Sequence, residues 1–271
     1  MHKGDMYMIG AIVGDIVGSI YEWDNIKTKE FKFLTKENFF TDDTVMTLAI
    51  AQALLKLDKD LKSWQTYLIK EMQTIGLKHP ASGYGRYFML WLLSKNPKPY
   101  HSYGNGAGMR ISPVAYVGKT LDEVTFLSRI VTEVTHDHPE GIKAAEAIAV
   151  ATFMAKKKCS KSEIKQHIQK HYYPLNFTLK DIRTTYTFDE TAQGSTPQAI
   201  VAFLESESFE DAIRNAISIG GDSDTIAAMT GAIAEAFYGI PKEIEKKTLS
   251  YLTHDLKEIV TSFNQKFRLP R

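Results

Sequence analysis

Apolar and small residues recur every three or four positions along most of this chain, a period that commits it to helices packed on helices. Thr44–Lys56, Arg86–Leu93, Glu140–Met154, Pro197–Leu204, Phe209–Ile219 and Thr225–Tyr238 each carry them at i, i+3 and i+4 spacing. Alternating β-branched runs bounded by turn residues are almost absent, and Phe31–Leu34 is at best a short extended piece. The expected fold class is all-α. With 44% hydrophobic residues among 271, no Pro/Gly/Ser-rich linker and no repeat of fixed period, residues 1–271 read as a single domain with a full core.

The apolar stretch Met8–Ile20 contains Asp15 and three glycines, and it is shorter than a membrane span, which needs ~20 apolar residues. It reads as a buried helix. Gly10, Gly14 and Gly18 recur every four positions, as do Ala228, Ala232 and Ala236. Glycine inside a helix costs ~1 kcal/mol relative to alanine, so the spacing suggests backbones packed tightly around something central. Lys and Arg number 33 against 32 Asp and Glu, a net charge of +1 that draws the chain to neither membranes nor nucleic acid. Cys159 is alone, which excludes an internal disulfide and a cysteine-based zinc site and fits a reducing, cytoplasmic setting. A monomer without a membrane partner is expected.

Two helix starts carry more acid than capping requires. Phe40-Thr41-Asp42-Asp43-Thr44 opens the helix that continues as Val45-Met46-Thr47, and Gly220-Gly221-Asp222-Ser223-Asp224-Thr225 opens the one that continues as Ile226-Ala227-Ala228. Asp and Thr are favoured caps, and the macrodipole stabilises acids in a first turn, so either start alone reads as a cap. A cap uses one side-chain oxygen, however. Adjacent Asp42 and Asp43 repel each other, and Asp222-x-Asp224-Thr225 has oxygens to spare behind a Gly-Gly turn. If the two starts converge, their carboxylates are tolerable together only with bound cations. Hard oxygen donors, with no cysteine and no paired-histidine motif, point to magnesium, manganese or calcium; without EF-hand spacing, two small octahedral ions fit best.

Taken in chain order, several blocks resemble the ADP-ribosylglycohydrolases, which include dinitrogenase-reductase-activating glycohydrolases and ADP-ribosylserine hydrolases. They are Ile9-Gly10-Ala11-Ile12-Val13-Gly14-Asp15 with Gly18 and Glu22, then Thr41-Asp42-Asp43-Thr44, then Gly83-Tyr84-Gly85. Gly104-Asn105-Gly106-Ala107-x-Met109-Arg110 with Pro113 follows, then Thr135-His136, and finally Gly220–Thr225 with Gly231 and Tyr238-Gly239-Ile240-Pro241. The resemblance implies an orthogonal helical bundle with a binuclear magnesium or manganese centre in a central cleft. It implies Thr41, Asp42, Asp43, Asp222, Asp224 and Thr225 as metal ligands, and Glu22, Asp43 and Asp224 as catalytic residues, Glu22 being a mobile acid near the metals. Gly104, Asn105, Gly106, Ala107, Gly108, Met109 and Arg110 would wrap the diphosphate and distal ribose, and His136 would wall the adenosine end.

The reaction implied is hydrolysis of an N- or O-glycosidic bond at ribose C1″, releasing ADP-ribose from a modified protein side chain. The state to be stabilised is oxocarbenium-like, metal ions would orient the ribose diol and acidify water, and a carboxylate would take its proton. Hydrolysis of small ADP-ribose conjugates or of ADP-ribosylated nucleic acid, and non-catalytic ADP-ribose binding, stay open as alternatives. Every presumed ligand is an oxygen donor, which speaks against a degenerate copy.

Other motifs have plainer readings. Gly104–Gly108 lacks the Gly-Lys-Ser/Thr of a Walker A motif and the glycine at Met109 that a dinucleotide fingerprint needs, so it reads as a flexible loop whose amides can cradle an anion. His136-Asp137-His138 lies ahead of a helix opened by Pro139 and reads as cap or ligand-stacking residues. His167 and His171 share a polar helix face, Lys156-Lys157-Lys158 reads as a solvated helix end, and Ser195-Thr196-Pro197 as a cap followed by a first-turn proline.

Overall fold

The computed structural model describes residues 8–58 and 60–267, and among them the regular elements are helices, with one isolated bridge between Gly104 and Thr191. In chain order the helices are α1 (Gly10–Gly18), α2 (Asp42–Leu54), α3 (Leu61–Lys78), α4 (Arg86–Leu92), α5 (Gly106–Met109), α6 (Val114–Val117), α7 (Leu121–Thr132) and α8 (Pro139–Lys156). They continue as α9 (Lys161–His171), α10 (Leu179–Ile182), α11 (Ala192–Leu204), α12 (Phe209–Ile217), α13 (Ser223–Tyr238), α14 (Lys242–Tyr251) and α15 (His254–Phe267). The all-α class is as expected. Phe31–Leu34 forms no strand; its rings lie half-buried on the core.

α13 is the hub. Its residues Ser223–Ala236 are all buried, and it packs against α1, α8, α11 and α12. A helix that is small and apolar on every side gains stability only when surrounded, which the Ala-rich sequences of α8 and α13 satisfy. None of the helices of the described residues is long and apolar enough to cross a membrane.

Two local expectations are corrected. α11 begins three residues before Ser195, because Thr191 caps it by accepting the Gly194 amide at 3.1 Å. Pro197 therefore sits inside the helix, and buried Ser195 donates to the Asp189 and Thr191 carbonyls at 2.7 and 2.9 Å. Lys156 is no solvated end. Its ammonium donates to the Ala115 and Tyr116 carbonyls at 2.8 and 3.2 Å, and burial lowers its pKa to about 8; Lys157 and Lys158 are exposed.

Glu235, buried on α13, reaches across to the start of α1 and accepts the Ile9 and Gly10 amides at 3.1 and 2.7 Å. A carboxylate from a neighbouring helix thus satisfies amides that α1 cannot satisfy itself. Burial pushes its pKa up to about 8, although the amides and the Tyr116 hydroxyl pull it back. An acid whose folded pKa is raised stabilises the fold fully below its unfolded value, and that stability is lost as pH rises through about 8. The unfolding free energy is expected to fall between pH 5 and 8, and Glu235→Gln to remove on the order of 2 kcal/mol of that fall. Parallel urea titrations of the two proteins at each pH check this; identical pH slopes would refute it.

Candidate active site

The glycine face of α1 brings the site together. A Cβ at Gly14 would lie 2.0 Å from the Ala227 carbonyl oxygen, one at Gly10 2.2 Å from that of Gly231, and one at Gly18 2.4 Å from the Asp224 Cα. The central object implied by the spacing is α13 itself. This contact sets Asp15, and Glu22 just beyond the end of α1, beside the start of α13.

Asp15 then turns toward α2. It accepts the Thr41 and Thr44 amides, both at 3.0 Å, the Thr41 hydroxyl at 2.7 Å, and the Thr44 hydroxyl. The Asp42 amide donates to the Ser82 carbonyl at 2.7 Å and the Asp43 amide to Thr41 Oγ1 at 3.3 Å. The first turn of α2 is thereby capped without either of its own acids. Thr41 gives its proton to Asp15 and one lone pair to Asp43, which leaves its second lone pair for an outside partner. Gly83, at φ +95°, passes close by: a Cβ there would stand 3.6 Å from Asp42 Oδ1.

α13 starts at the same place. Gly220 and Gly221, at φ +67° and +80°, form the turn before it, a conformation that L side chains resist. Asn25 pins that turn, accepting the Gly221 amide at 2.6 Å and donating to the Gly221 carbonyl at 2.9 Å. The Lys27 ammonium holds the Tyr186 carbonyl at 2.6 Å and also the Ile219 carbonyl. Asp222 Oδ2 accepts the Asn105 amide group at 2.7 Å, and the Thr225 hydroxyl donates to Asp43 Oδ2 at 3.0 Å. Carboxylate oxygens of Glu22, Asp222 and Asp224 lie within 4.8 Å of one another. The two acidic helix starts converge.

Such crowding drives the acids upward. Burial is the first cause in each case. Repulsion from the neighbouring carboxylates adds to it for Glu22, pushed up to about 7, and Asp42, pushed up to about 8, and likewise for Asp43 and Asp224, raised well above the carboxylate range. Asp222 is raised but restrained by Asp224, Asn105 and Thr225, and Asp15 rises to about 6 against the pull of its four hydrogen bonds. Asp43 Oδ1 is buried with no protein partner. Hard oxygens held this close, with one left bare, are a donor set that fits divalent cations, whose charge would reverse every one of these shifts. Among the described residues, Glu22, Asp222 and Asp224 form the group of acids close enough to share a cation, and Asp43 joins it through the Thr225 hydroxyl.

The glycine-rich segment is not a loop. Gly106–Met109 forms one helical turn, and none of Gly104, Gly106 and Gly108 has positive φ. The Gly108 and Met109 amides donate to the Asn105 carbonyl, that of Gly104 to Ser102 Oγ and that of Asn105 to the Glu190 carbonyl. Gly106 and Ala107 are left as the amide donors of the turn. Close packing accounts for Gly108, where a Cβ would stand 2.8 Å from Met229 Sδ; at Gly106 it would meet His136 Nε2 at an ordinary 3.4 Å. Ala107, Met109 and Arg110 are buried, so their side chains face inward. Arg110 meets Thr135 Oγ1 and His136 Nδ1 and lies over the Phe88 ring, and burial lowers its pKa to about 10. His136 is buried as well, its pKa driven well below the usual value by burial and by Arg110, so it presents a neutral imidazole. His138 caps α8, accepting the Glu140 amide at 3.1 Å, and Pro139 opens it as expected.

Sequence reasoning used Asp15 to exclude a membrane span and as part of the first family block, and missed its role as acceptor for the Thr41 and Thr44 amides at the start of α2. Its signal was present: a lone acid inside an apolar, glycine-rich helix must find donors from elsewhere. Asn25 and Lys27 carried no such signal, and Asn105, expected at the diphosphate, was not expected to hold Asp222.

Comparison with known proteins covers almost the whole chain. A family model described as ADP-ribosylglycohydrolase matches residues 6–270. ADP-ribosylhydrolase ARH3 of Homo sapiens is 27% identical over 330 residues, covering 92% of this chain and 90% of the relative. ADP-ribosylarginine hydrolase Tri1 of Serratia proteamaculans (strain 568) is 24% identical over 307 residues, covering 94% and 79%. A solved structure titled ADP-ribosylglycohydrolase-related protein complex shares the fold at a TM-score of 0.69 and 22% identity, over 95% of each chain.

Proposed function

This chain belongs to the ADP-ribosylglycohydrolase family, and from that premise we propose that it is a metal-dependent hydrolase releasing ADP-ribose from a modified protein side chain. The observation that carries the reading is the meeting of the α2 and α13 starts around a bare, buried Asp43 Oδ1. Two magnesium or manganese ions supply, when bound to such a set, chelation of the ribose diol and a lowered pKa for water. Hydrolysis adds water across the bond from C1″ to the acceptor nitrogen or oxygen, the hydroxyl going to C1″ and the proton to the departing atom.

The protein's own residues divide that work. Asp43 and Asp224 set the charge that opposes the positive charge developing at C1″. Glu22 and Asp42 are partly exposed while Asp15, Asp43, Asp222 and Asp224 are buried; Glu22, beyond the end of α1, is the carboxyl we assign to the acceptor side of the bond, where it can hold or return a proton. Asn105 orients Asp222 while its own turn presents the Gly106 and Ala107 amides to the diphosphate. Neutral His136 forms the wall behind that turn for the adenosine end, with Arg110 supporting it from the core.

A panel of ADP-ribosylated arginine and serine peptides, incubated with the protein and read as free ADP-ribose, tests the reading. Turnover is expected with magnesium or manganese, to stop in EDTA, and to return with either ion and not with zinc. Full turnover by verified metal-free protein in chelator would overturn it.

A further inference from the structure

We propose that Trp23 and Phe188 form an acceptor subsite, an aromatic platform beside Glu22 that takes the guanidinium of an ADP-ribosylated arginine side chain. The inference rests on the ADP-ribosyl hydrolase reading above and specifies the acceptor.

Trp23 is 81% exposed and Phe188 41%, whereas Trp64 and Trp91 are buried at 2% and 4%. The exposed rings are stacked, with centroids 5.2 Å apart and an interplanar angle of 19°. They arrive from distant stretches of chain, one just after α1 and one just before α11. A large ring left in water adds little to the fold, and two such rings brought together by separate segments mark a surface kept for a ligand.

Their position ties them to the chemistry. Trp23 directly follows Glu22, whose carboxylate oxygen lies within 4.8 Å of those of Asp222 and Asp224. Phe188 belongs to a segment laid against the turn before α13: a Cβ at Gly221 would stand 2.3 Å from the Tyr186 ring and 3.2 Å from the Thr187 carbonyl oxygen. Asp189, next in the chain, is close enough to Asp222 to act on its charge. The platform therefore borders the side of the acid cluster where Glu22 stands.

Charge selects the occupant. Glu22 and Asp24 are the chain neighbours of Trp23 and Asp189 that of Phe188, while the ammonium of Lys27 is engaged by the Tyr186 and Ile219 carbonyls. A nucleic-acid acceptor would stack equally well but would bring phosphates against these acids. A serine linkage has neither a flat face nor a charge to use here. A guanidinium has both, and it stacks on aromatic faces while pairing with carboxylates.

The test compares the manganese-loaded wild type with Trp23→Ala, Trp23→Phe and Phe188→Ala on two peptides of one sequence, ADP-ribosylated on arginine or on serine, with ADP-ribose affinity measured by calorimetry. The wild type is expected to cleave the arginine peptide, and both alanine variants to raise its KM by about tenfold. Trp23→Phe, which keeps a ring but loses the indole N–H, should hold KM within about threefold. ADP-ribose affinity should be unchanged in all three, since the product carries no acceptor. An unchanged KM in both alanine variants, an equal rise on the serine peptide, or cleavage of the serine peptide alone would each overturn the proposal. Wild type that cleaves neither peptide and binds no ADP-ribose would overturn the hydrolase reading itself, a result distinct from those three.

Discussion

Asp43→Ala and Asp224→Ala are each expected to lower the rate of ADP-ribose release by on the order of 10³-fold, because a hard-cation centre that loses one carboxylate ligand would hold its ions, and with them the ribose diol and the water, less well. The effect on the fold should run the other way. Both acids are buried and carry pKa values raised first by burial and then by their neighbours, so removing either relieves repulsion in the metal-free protein. The metal-free variants should melt at or above the metal-free wild type. Manganese should raise the Tm of the wild type, since a ligand that binds only the native state stabilises it by mass action, and should not raise that of the variants. Single-turnover rates and melts with and without manganese check both halves. A wild-type-like metal shift in both variants would place the centre elsewhere.

Gly14→Ala is expected to destabilise the fold by about 3–5 kcal/mol, far more than one methyl group usually costs. The new Cβ would lie 2.0 Å from the Ala227 carbonyl oxygen, which is backbone on both sides and cannot rotate away. α1 and α13 would have to separate, carrying Asp15 and Glu22 away from Asp222 and Asp224. Gly85→Ala provides the comparison: nothing lies within 4 Å of its Cβ position, and its φ of −56° suits alanine. That change should cost under about 1 kcal/mol, the usual loss on placing alanine at a helix cap. Urea unfolding of both variants decides it, and a Gly14→Ala loss below that of Gly85→Ala would show that the two backbones do not touch as described.

The contrast between these glycines shows where sequence reasoning reached. The i, i+4 spacing of Gly10, Gly14 and Gly18 announced a close approach, and Asp42-Asp43 and Asp222-x-Asp224 announced two helix starts with surplus oxygen, because period and capping depend on residues a few positions away. The same local reasoning failed at Pro197, where Ser195-Thr196 resembled a cap although Thr191 already filled that role. It failed at Lys156, whose lysine run suggested solvent while two carbonyls of the α6 region took the ammonium. At Gly104–Gly108 a dense run of glycine suggested a flexible loop, yet residues Gly106–Met109 form a helical turn in which a Cβ at Gly108 would come within 2.8 Å of Met229 Sδ.

By itself, then, the sequence determined the all-α class, the acid-rich starts of α2 and α13 and the family; it left α3, α7, α14 and α15 unread. Tertiary structure alone decided that the two starts meet, that Asp15 caps α2 and thereby frees Asp42 and Asp43, that Asn105 holds Asp222, and that Arg110 faces the core. The reason lies in the range of the forces. A helix start is specified by the first turn's own donors and acceptors, but whether its acids are caps or free ligands depends on which other helix supplies a competing carboxylate, and that is settled only when backbones distant in sequence come into contact.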